Sequence, residues 1–247
     1  MTELLLIVPH PDDEVFGAGA LLARTVATGG GAAVLTLTRG AAGRTLGLCT
    51  RSELPAMREA ELRAALETLG VADVTIADYR DFVPDDDRGM APHAGLAAEP
   101  EEELLALMLQ VIERTRPKTV LTFPPNGANG HPDHVVTSRL VQLAVQRAEH
   151  RVQSLYYYAS ERRFAGPQRP GFLAEEQMQA LHLAPTHRLE AGEDLPRKLS
   201  AIACHRTQAL SVLGFMRSMP ERLMVETFHR ANPPAPTGAE AVLVSRL

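Results

Sequence analysis

Leu4, Leu5, Leu6, Ile7 and Val8 form an unbroken apolar run, the pattern of a strand covered on both faces, and residues 17–27 behind it have helical composition and spacing. The same couple recurs down the chain. Residues 32–38 read as a strand, and residues 53–69 as a helix stopped by Gly70. Residues 74–79 and 100–116 repeat the strand and helix, and residues 118–123 and 132–149 repeat them again before a last strand at 154–159. Strands alternating with helices pair in parallel through right-handed crossovers. The expected fold is therefore α/β: a doubly wound, mostly parallel sheet with helices on both faces, whose ligands bind beyond the carboxyl ends of the strands.

That pattern occupies residues 1–160 of a 247-residue chain, long enough to bury a substantial core. Residues 161–247 read as a smaller mixed elaboration of the same single domain, with a long loop over 162–171 and a helix near 194–210. Two stretches rich in Pro, Gly, Asp and Asn, 84–98 and 231–237, are expected to be irregular. A net charge of -5 does not advertise a nucleic-acid partner. The apolar runs fall far short of the roughly 20 residues needed to span a membrane. No basic segment precedes the first run, so a cleaved signal peptide is not expected and the location is read as cytoplasmic. With only Cys49 and Cys204, neither a disulfide framework nor a thiolate metal knot can be built, so His and carboxylate must hold any metal.

Two clusters offer such ligands. His10-Pro11-Asp12-Asp13 follows the first strand, where a doubly wound sheet places its functional loops. Adjacent carboxylates repel, so Asp12 and Asp13 call for a metal, an arginine or solvent, unless they merely cap the following helix. The second cluster, His131-Pro132-Asp133-His134, follows another strand and opens on the same sheet edge. Histidines three apart at a helix start can converge on one site, and an intervening Asp can fix an imidazole tautomer. Three protein ligands plus an open position mark a catalytic zinc site, a count that His10, Asp13 and His134 satisfy. Asp12 and His131 are left for the base and acid of a hydrolysis. Residue types alone do not choose between Asp12 and Asp13.

With Pro9-His10-Pro11-Asp12-Asp13-Glu14 and His131-Pro132-Asp133-His134 both complete, the chain resembles the LmbE-like or PIG-L family of zinc-dependent N-acetylglucosamine deacetylases. A late pattern of Lys198, His205 and Gln208 extends the resemblance over nearly the whole chain. The resemblance implies that His10, Asp13 and His134 bind Zn2+, although the same donors accept Fe2+, Co2+ or Mn2+. It further implies Asp12 as general base and His131 as the acid that stabilises the oxyanion, with Asp133 orienting His131 and keeping it protonated. Arg58 and Asp81 match positions that hold the sugar in relatives, and Asn129 stands where some relatives carry Tyr.

Residues 38–47, 51–69 and Tyr79-Arg80-Asp81 are most similar to the bacillithiol-biosynthesis deacetylases, which implies N-acetylglucosaminyl-malate as substrate. A malate aglycone carries two carboxylates, and Arg44, Arg51 and Arg58 lie in or just after the loop behind the second strand. The alternatives are a zinc amidase acting on a bacillithiol- or mycothiol-type conjugate or another N-acetyl sugar, and a non-catalytic metal or sugar-binding protein. A small amino sugar is the expected partner, and relatives imply a homo-oligomer, a hexamer or trimer. Other features carry less. Gly17-Ala18-Gly19 lacks the third glycine of a dinucleotide loop. Cys204 and His205 diverge on a helix and Cys204 reads as a buried thiol, Tyr156-Tyr157-Tyr158 alternates between two faces, and Asp85-Asp86-Asp87 reads as a solvated loop.

Overall fold

Leu4 to Val8 are each 2% exposed or less, the two-sided burial that an unbroken apolar run requires. They belong to β1 (Thr2–Val8), the middle of the sheet in a computed structural model that describes residues 2–85, 89–163, 168–234 and 241–247. After it come α1 (Asp13–Ala27), β2 (Gly31–Thr38), α2 (Leu54–Leu69), β3 (Asp73–Tyr79) and a short antiparallel pair, β4 (Phe82–Val83) and β5 (His93–Ala94). The chain continues through α3 (Glu101–Thr115), β6 (Thr119–Thr122), α4 (Gly127–Gly130), α5 (Pro132–Arg147), β7 (Ser154–Tyr158) and α6 (Glu175–Ala180). It closes with β8 (His187–Glu190), α7 (Leu195–Cys204), α8 (Ala209–Ser218), α9 (Glu221–Met224), β9 (Val225–Asn232) and β10 (Val242–Leu243).

The main sheet runs β10-β8-β9-β7-β6-β1-β2-β3. From β7 to β3 every pairing is parallel, as expected for a doubly wound sheet. β1 pairs with β2 on one side and β6 on the other, so the strand order reverses between β1 and β6. The two clusters follow these two strands and therefore flank the switch point, where open α/β sheets bind ligands. Alternate residues of β1 supply two cores. Leu4, Leu6 and Val8 join residues of α1, α2 and α7, while Leu5 and Ile7 pack with α3 and α5. Tyr156 and Tyr158 enter the first core and Tyr157 the second, as strand alternation demands.

The last third departs from the sequence reading. β9 inserts antiparallel between β7 and β8, so this end of the sheet is mixed. Ala231 and Asn232, expected to be irregular, complete β9, while residues 235–237 of that stretch lie outside the described residues. Within 84–98, β5 is followed by a 3-10 turn, Gly95–Ala98. Asp86 and Asp87 of the acidic run, and residues 164–167 of the long loop, also lie outside the described residues. The helix expected over 194–210 is interrupted by a 3-10 turn at Arg206–Gln208. Cys204 is half-buried rather than buried.

α1 starts earlier than its periodicity suggests and is broken at Ala18, whose φ of -143° and ψ of 16° are not helical. The break frees amide groups that need acceptors. Glu226 of β9 supplies them, accepting from Ala20 N at 2.8 Å and Leu21 N at 2.9 Å. Its own charge meets Lys198 Nζ at 2.9 Å, and both side chains are buried. Among the described residues, no helix is long and apolar enough to cross a membrane.

Candidate metal centre

The loop leaving β1 turns sharply. Asp12 has φ 105°, a left-handed conformation uncommon outside glycine and tolerated best by Asn and Asp. Asp12 stands at the N-cap position of α1, yet its side chain caps nothing, so helix capping does not explain the Asp-Asp pair. Instead Asp12 Oδ1 lies 3.2 Å from an Arg58 amino group. The same guanidinium donates to the carbonyls of Pro11 and Gly40. Gly40 has no alternative here, because a Cβ at that position would overlap the Arg58 guanidinium. Arg58, expected to grip the sugar, is 4% exposed, and its terminal nitrogens are engaged with the protein. A buried arginine fastens to whatever acceptors surround it, and here these belong to the loop that presents Asp12.

From beneath, Asp12 N donates to Glu14 Oε2 at 2.9 Å, and Glu14 Oε1 lies 2.6 Å from His205 Nε2. Burial alone would lower the His205 pKa, but the charge and hydrogen bond of Glu14 outweigh it and raise it. A folded value above the unfolded one, about 6.5, means that the pair stabilises the fold fully below that pH. The contribution fades as pH rises through the raised folded value. His205→Gln should therefore flatten the decline of Tm on the alkaline side. Identical Tm-versus-pH curves for the two proteins would separate His205 from the effect.

The second cluster opens α5. His131 is its N-cap, with Nδ1 accepting from Asp133 N at 3.2 Å, and Asn129 Oδ1 accepts from His131 N at 3.1 Å. Asp133 is fully buried. Its Oδ1 accepts from Leu96 N at 2.8 Å and its Oδ2 from Phe82 N at 2.9 Å, and Oδ2 also lies 3.1 Å from His10 Nε2. Gly95, at φ 62°, lets the backbone close on this carboxylate, since a Cβ there would strike Asp133 Oδ1. Asp133 thus orients His10, across the two motifs, and not the ring of His131 as the family pattern suggested. Side chains two residues apart at a helix start do not face each other, which turns the carboxylate away from the His131 ring.

These contacts fix two tautomers. Asp133 can only accept, so His10 Nε2 carries hydrogen and Nδ1 offers its lone pair. The Gly127 carbonyl likewise takes the hydrogen of His134 Nδ1 at 3.0 Å, which leaves His134 Nε2 as an acceptor. With His10 neutral, the two lone pairs face each other across 3.2 Å. Asp13 closes the set, with Oδ2 3.4 Å from His10 Nδ1 and Oδ1 3.7 Å from His134 Nε2. Three acceptors at such distances repel one another unless a cation lies between them. Donors about 2.0–2.2 Å from one tetrahedral ion stand about 3.3–3.6 Å apart. The His10, Asp13 and His134 spacing fits a tetrahedral ion such as zinc. His10, His131 and Asp133 also gather donor atoms within 4.8 Å, but Asp133 is already engaged by two amides and His10.

The electrostatics agree with a cation there. Burial alone would lower the His10 pKa, yet the hydrogen bonds and charges of Asp13 and Asp133 raise it well above the usual value, so a proton on Nδ1 takes the place among these acceptors that an ion would otherwise fill. Asp13 is held low against its burial by His134 and His10, and Asp133 against its burial by His10. Asp12 is pushed up to about 6, by burial first and against the pull of Arg58. Burial, with His134 and His10 nearby, drives the His131 pKa well below its usual value against the pull of Asp133, which favours the neutral imidazole over the protonated form that the resemblance implied. With Nδ1 accepting, its Nε2 carries hydrogen.

Of the remaining expected residues, Asp81 is buried, with Oδ2 accepting from Ala42 N at 2.7 Å and Oδ1 without a partner among the described residues. Arg44 is half-buried, and Gln208 Nε2 donates to its carbonyl at 3.1 Å. Arg51 is spent on the carbonyls of Ala41 and Gly43. A cavity of about 500 Å3 reaches the ion set from the side of Asp13 and His134, with Asn129 on its wall. Sequence reasoning assigned no role to Glu14, although it sits inside the first motif, and no pattern marked Glu226 or the amides of Phe82 and Leu96.

A profile of the PIG-L family, GlcNAc-PI de-N-acetylase, matches residues 5–145, more than half of the chain. The chain belongs to the PIG-L family. This PIG-L chain is 32% identical over 244 residues to the 1D-myo-inositol 2-acetamido-2-deoxy-alpha-D-glucopyranoside deacetylase 2 of Catenulispora acidiphila, covering 83% of this chain and 79% of that relative. It is 36% identical over 150 residues to the corresponding deacetylase of Kineococcus radiotolerans, covering 53% of this chain and 41% of that relative, so the match spans less than half of the latter's length. A solved structure of a conserved protein from Thermus thermophilus superposes with a TM-score of 0.68 at 26% identity, covering 98% of each chain. Both curated relatives are named for an inositol glycoside, not for the malate glycoside that the loop sequences suggested.

Proposed function

We propose that this PIG-L chain is a zinc-dependent N-deacetylase of small N-acetylglucosamine conjugates. The carrying observation is the convergence of His10 Nδ1, His134 Nε2 and the Asp13 carboxylate, beside a carboxylate, Asp12, and an imidazole, His131, that this set does not use. When bound by His10, Asp13 and His134, the ion supplies a Lewis acid for the amide carbonyl and lowers the pKa of water toward ~7. Asp12, raised toward neutrality, accepts the proton of the attacking water and returns it to the departing nitrogen. His131 donates its Nε2 hydrogen bond to the carbonyl oxygen as negative charge gathers there. The amide C–N bond breaks as a C–O bond forms, leaving acetate and a free amine.

Asp133 and Arg58 act here as positioning residues, one for His10 and the other for Asp12. Losing an outer partner of a ligating histidine typically costs 10–100-fold in metal affinity. Asp133→Asn should weaken zinc by about that factor in a competition titration with a chelator, and unchanged zinc affinity would remove Asp133 from the ion site. Asp81, with one oxygen unclaimed, together with Arg44 and Asn129 is the proposed contact set for the sugar.

The names of the relatives favour an inositol glucosaminide, the mycothiol-type alternative, over N-acetylglucosaminyl-malate of the bacillithiol type. The deciding assay offers zinc-loaded protein both glycosides and N,N'-diacetylchitobiose and measures release of primary amine. Release from the inositol glycoside with the highest kcat/KM is the expected result. Zinc bound without amine release from any of the three would leave a non-catalytic metal or sugar-binding protein.

A further inference from the structure

The cavity beside the ion set has a wall and a charge that the reaction centre does not need. Phe16 and Phe215 meet on it with ring centroids 4.9 Å apart, and Tyr158, whose hydroxyl donates to Asp13 O at 3.3 Å, joins it to the ion ligands. Arg222 of α9 lies over the Phe215 ring at 5.9 Å. Its Nε is buried with no partner, and among the described residues no carboxylate lies within 4.0 Å of its guanidinium, whose hydrogen bond goes to Met219 Sδ at 4.0 Å. Arg162 and Arg163 also line the cavity, Arg162 facing Glu221 at 3.5 Å. The sole carboxylate among the described lining residues is Asp13, which the ion set uses. Glu226 and Glu221 attract this guanidinium only from beyond ion-pair distance, and burial opposes its charge, so a ligand anion in contact with it would offset that cost.

We infer that this cavity is a subsite for an anionic group, a carboxylate or phosphate on an apolar stem, carried by the part of the substrate remote from the scissile amide, with Arg222 as its principal partner. The inference rests on the deacetylase reading and deepens it by placing the anion on a part of the conjugate beyond the uncharged glycoside named in the relatives. The stem lies against Phe215 and Phe16, and the anion completes the hydrogen-bonding of Arg222.

Calorimetry on the zinc-loaded full chain with phenyl and 4-carboxyphenyl glucosaminides, which have no amide to hydrolyse, tests the subsite directly. The carboxylated ligand should bind about tenfold or more tightly than the neutral one, as a charged hydrogen bond implies, and the advantage should shrink as salt is raised. It should fall to within about twofold in R222M and largely survive in R222K. Equal affinities in the wild-type protein, or an advantage that persists in R222M, would overturn the inference. The wild-type comparison and its salt dependence decide the matter even if R222M does not fold. Amine release from the two acetylated glycosides is a separate reading: its absence would sink the deacetylase proposal while the calorimetric preference still reports on Arg222.

Discussion

Asp12→Asn is expected to retain a full equivalent of zinc and slow deacetylation by about 10²–10⁴-fold, the usual worth of a positioned general base. The substitution is chosen for what it spares. Asn tolerates the left-handed backbone at φ 105° almost as well as Asp, and its Oδ1 can still accept from Arg58. Neither replacement residue nor wild type contributes to the ion set through this position, so metal content should not change. A loss confined to kcat, with KM little altered, would identify an interaction made in the transition state. Wild-type kcat in a zinc-loaded Asp12→Asn protein would show that the base has been misassigned.

Asp13→Asn should have the opposite signature, with the metal lost first and the rate following it. The substitution keeps the shape that accepts His10 N at 2.9 Å but removes the negative charge that faces both imidazoles. Zinc affinity should fall by more than about 100-fold, beyond the usual cost of losing an outer-sphere partner. Dialysis against a chelator of graded affinity, followed by metal analysis, reads this directly. Zinc held as tightly as by the wild type would place the ion elsewhere. The two variants together separate binding from chemistry in adjacent residues whose types are identical.

Their identity is also why sequence could go only so far. The parallel core and its switch point were legible, because unbroken runs such as Leu4 to Val8 admit few structures and the clusters follow two strands that become neighbours. Boundaries within the core lie close to their expected places; α2 and α5, for example, begin at Leu54 and Pro132. Choosing between Asp12 and Asp13 required the backbone, which turns one carboxylate toward Arg58 and the other toward two histidines. The service of Asp133 to His10 was hidden for a related reason: 123 residues separate them, and no local pattern encodes which distant ring a buried carboxylate meets. The antiparallel β9 escaped notice because Val225–Asn232 mixes Glu, Thr, His, Arg and Asn among its apolar residues. Its polar members are consumed by specific partners, as Glu226 is by α1.

That last contact bears on where this protein can be divided. The stretch by which the family is recognised ends at residue 145, and the strand and helix alternation ends near 160. Either point looks like a seam. Yet the second half of α1, in the first strand-and-helix unit of the pattern, is started by a carboxylate that arrives 206 residues after Ala20, and that carboxylate is neutralised by a lysine drawn from α7. The stretch that identifies the chain is therefore shorter than the stretch that folds. Its closing quarter is built into the first helix, and shortened or fused versions need to carry it intact.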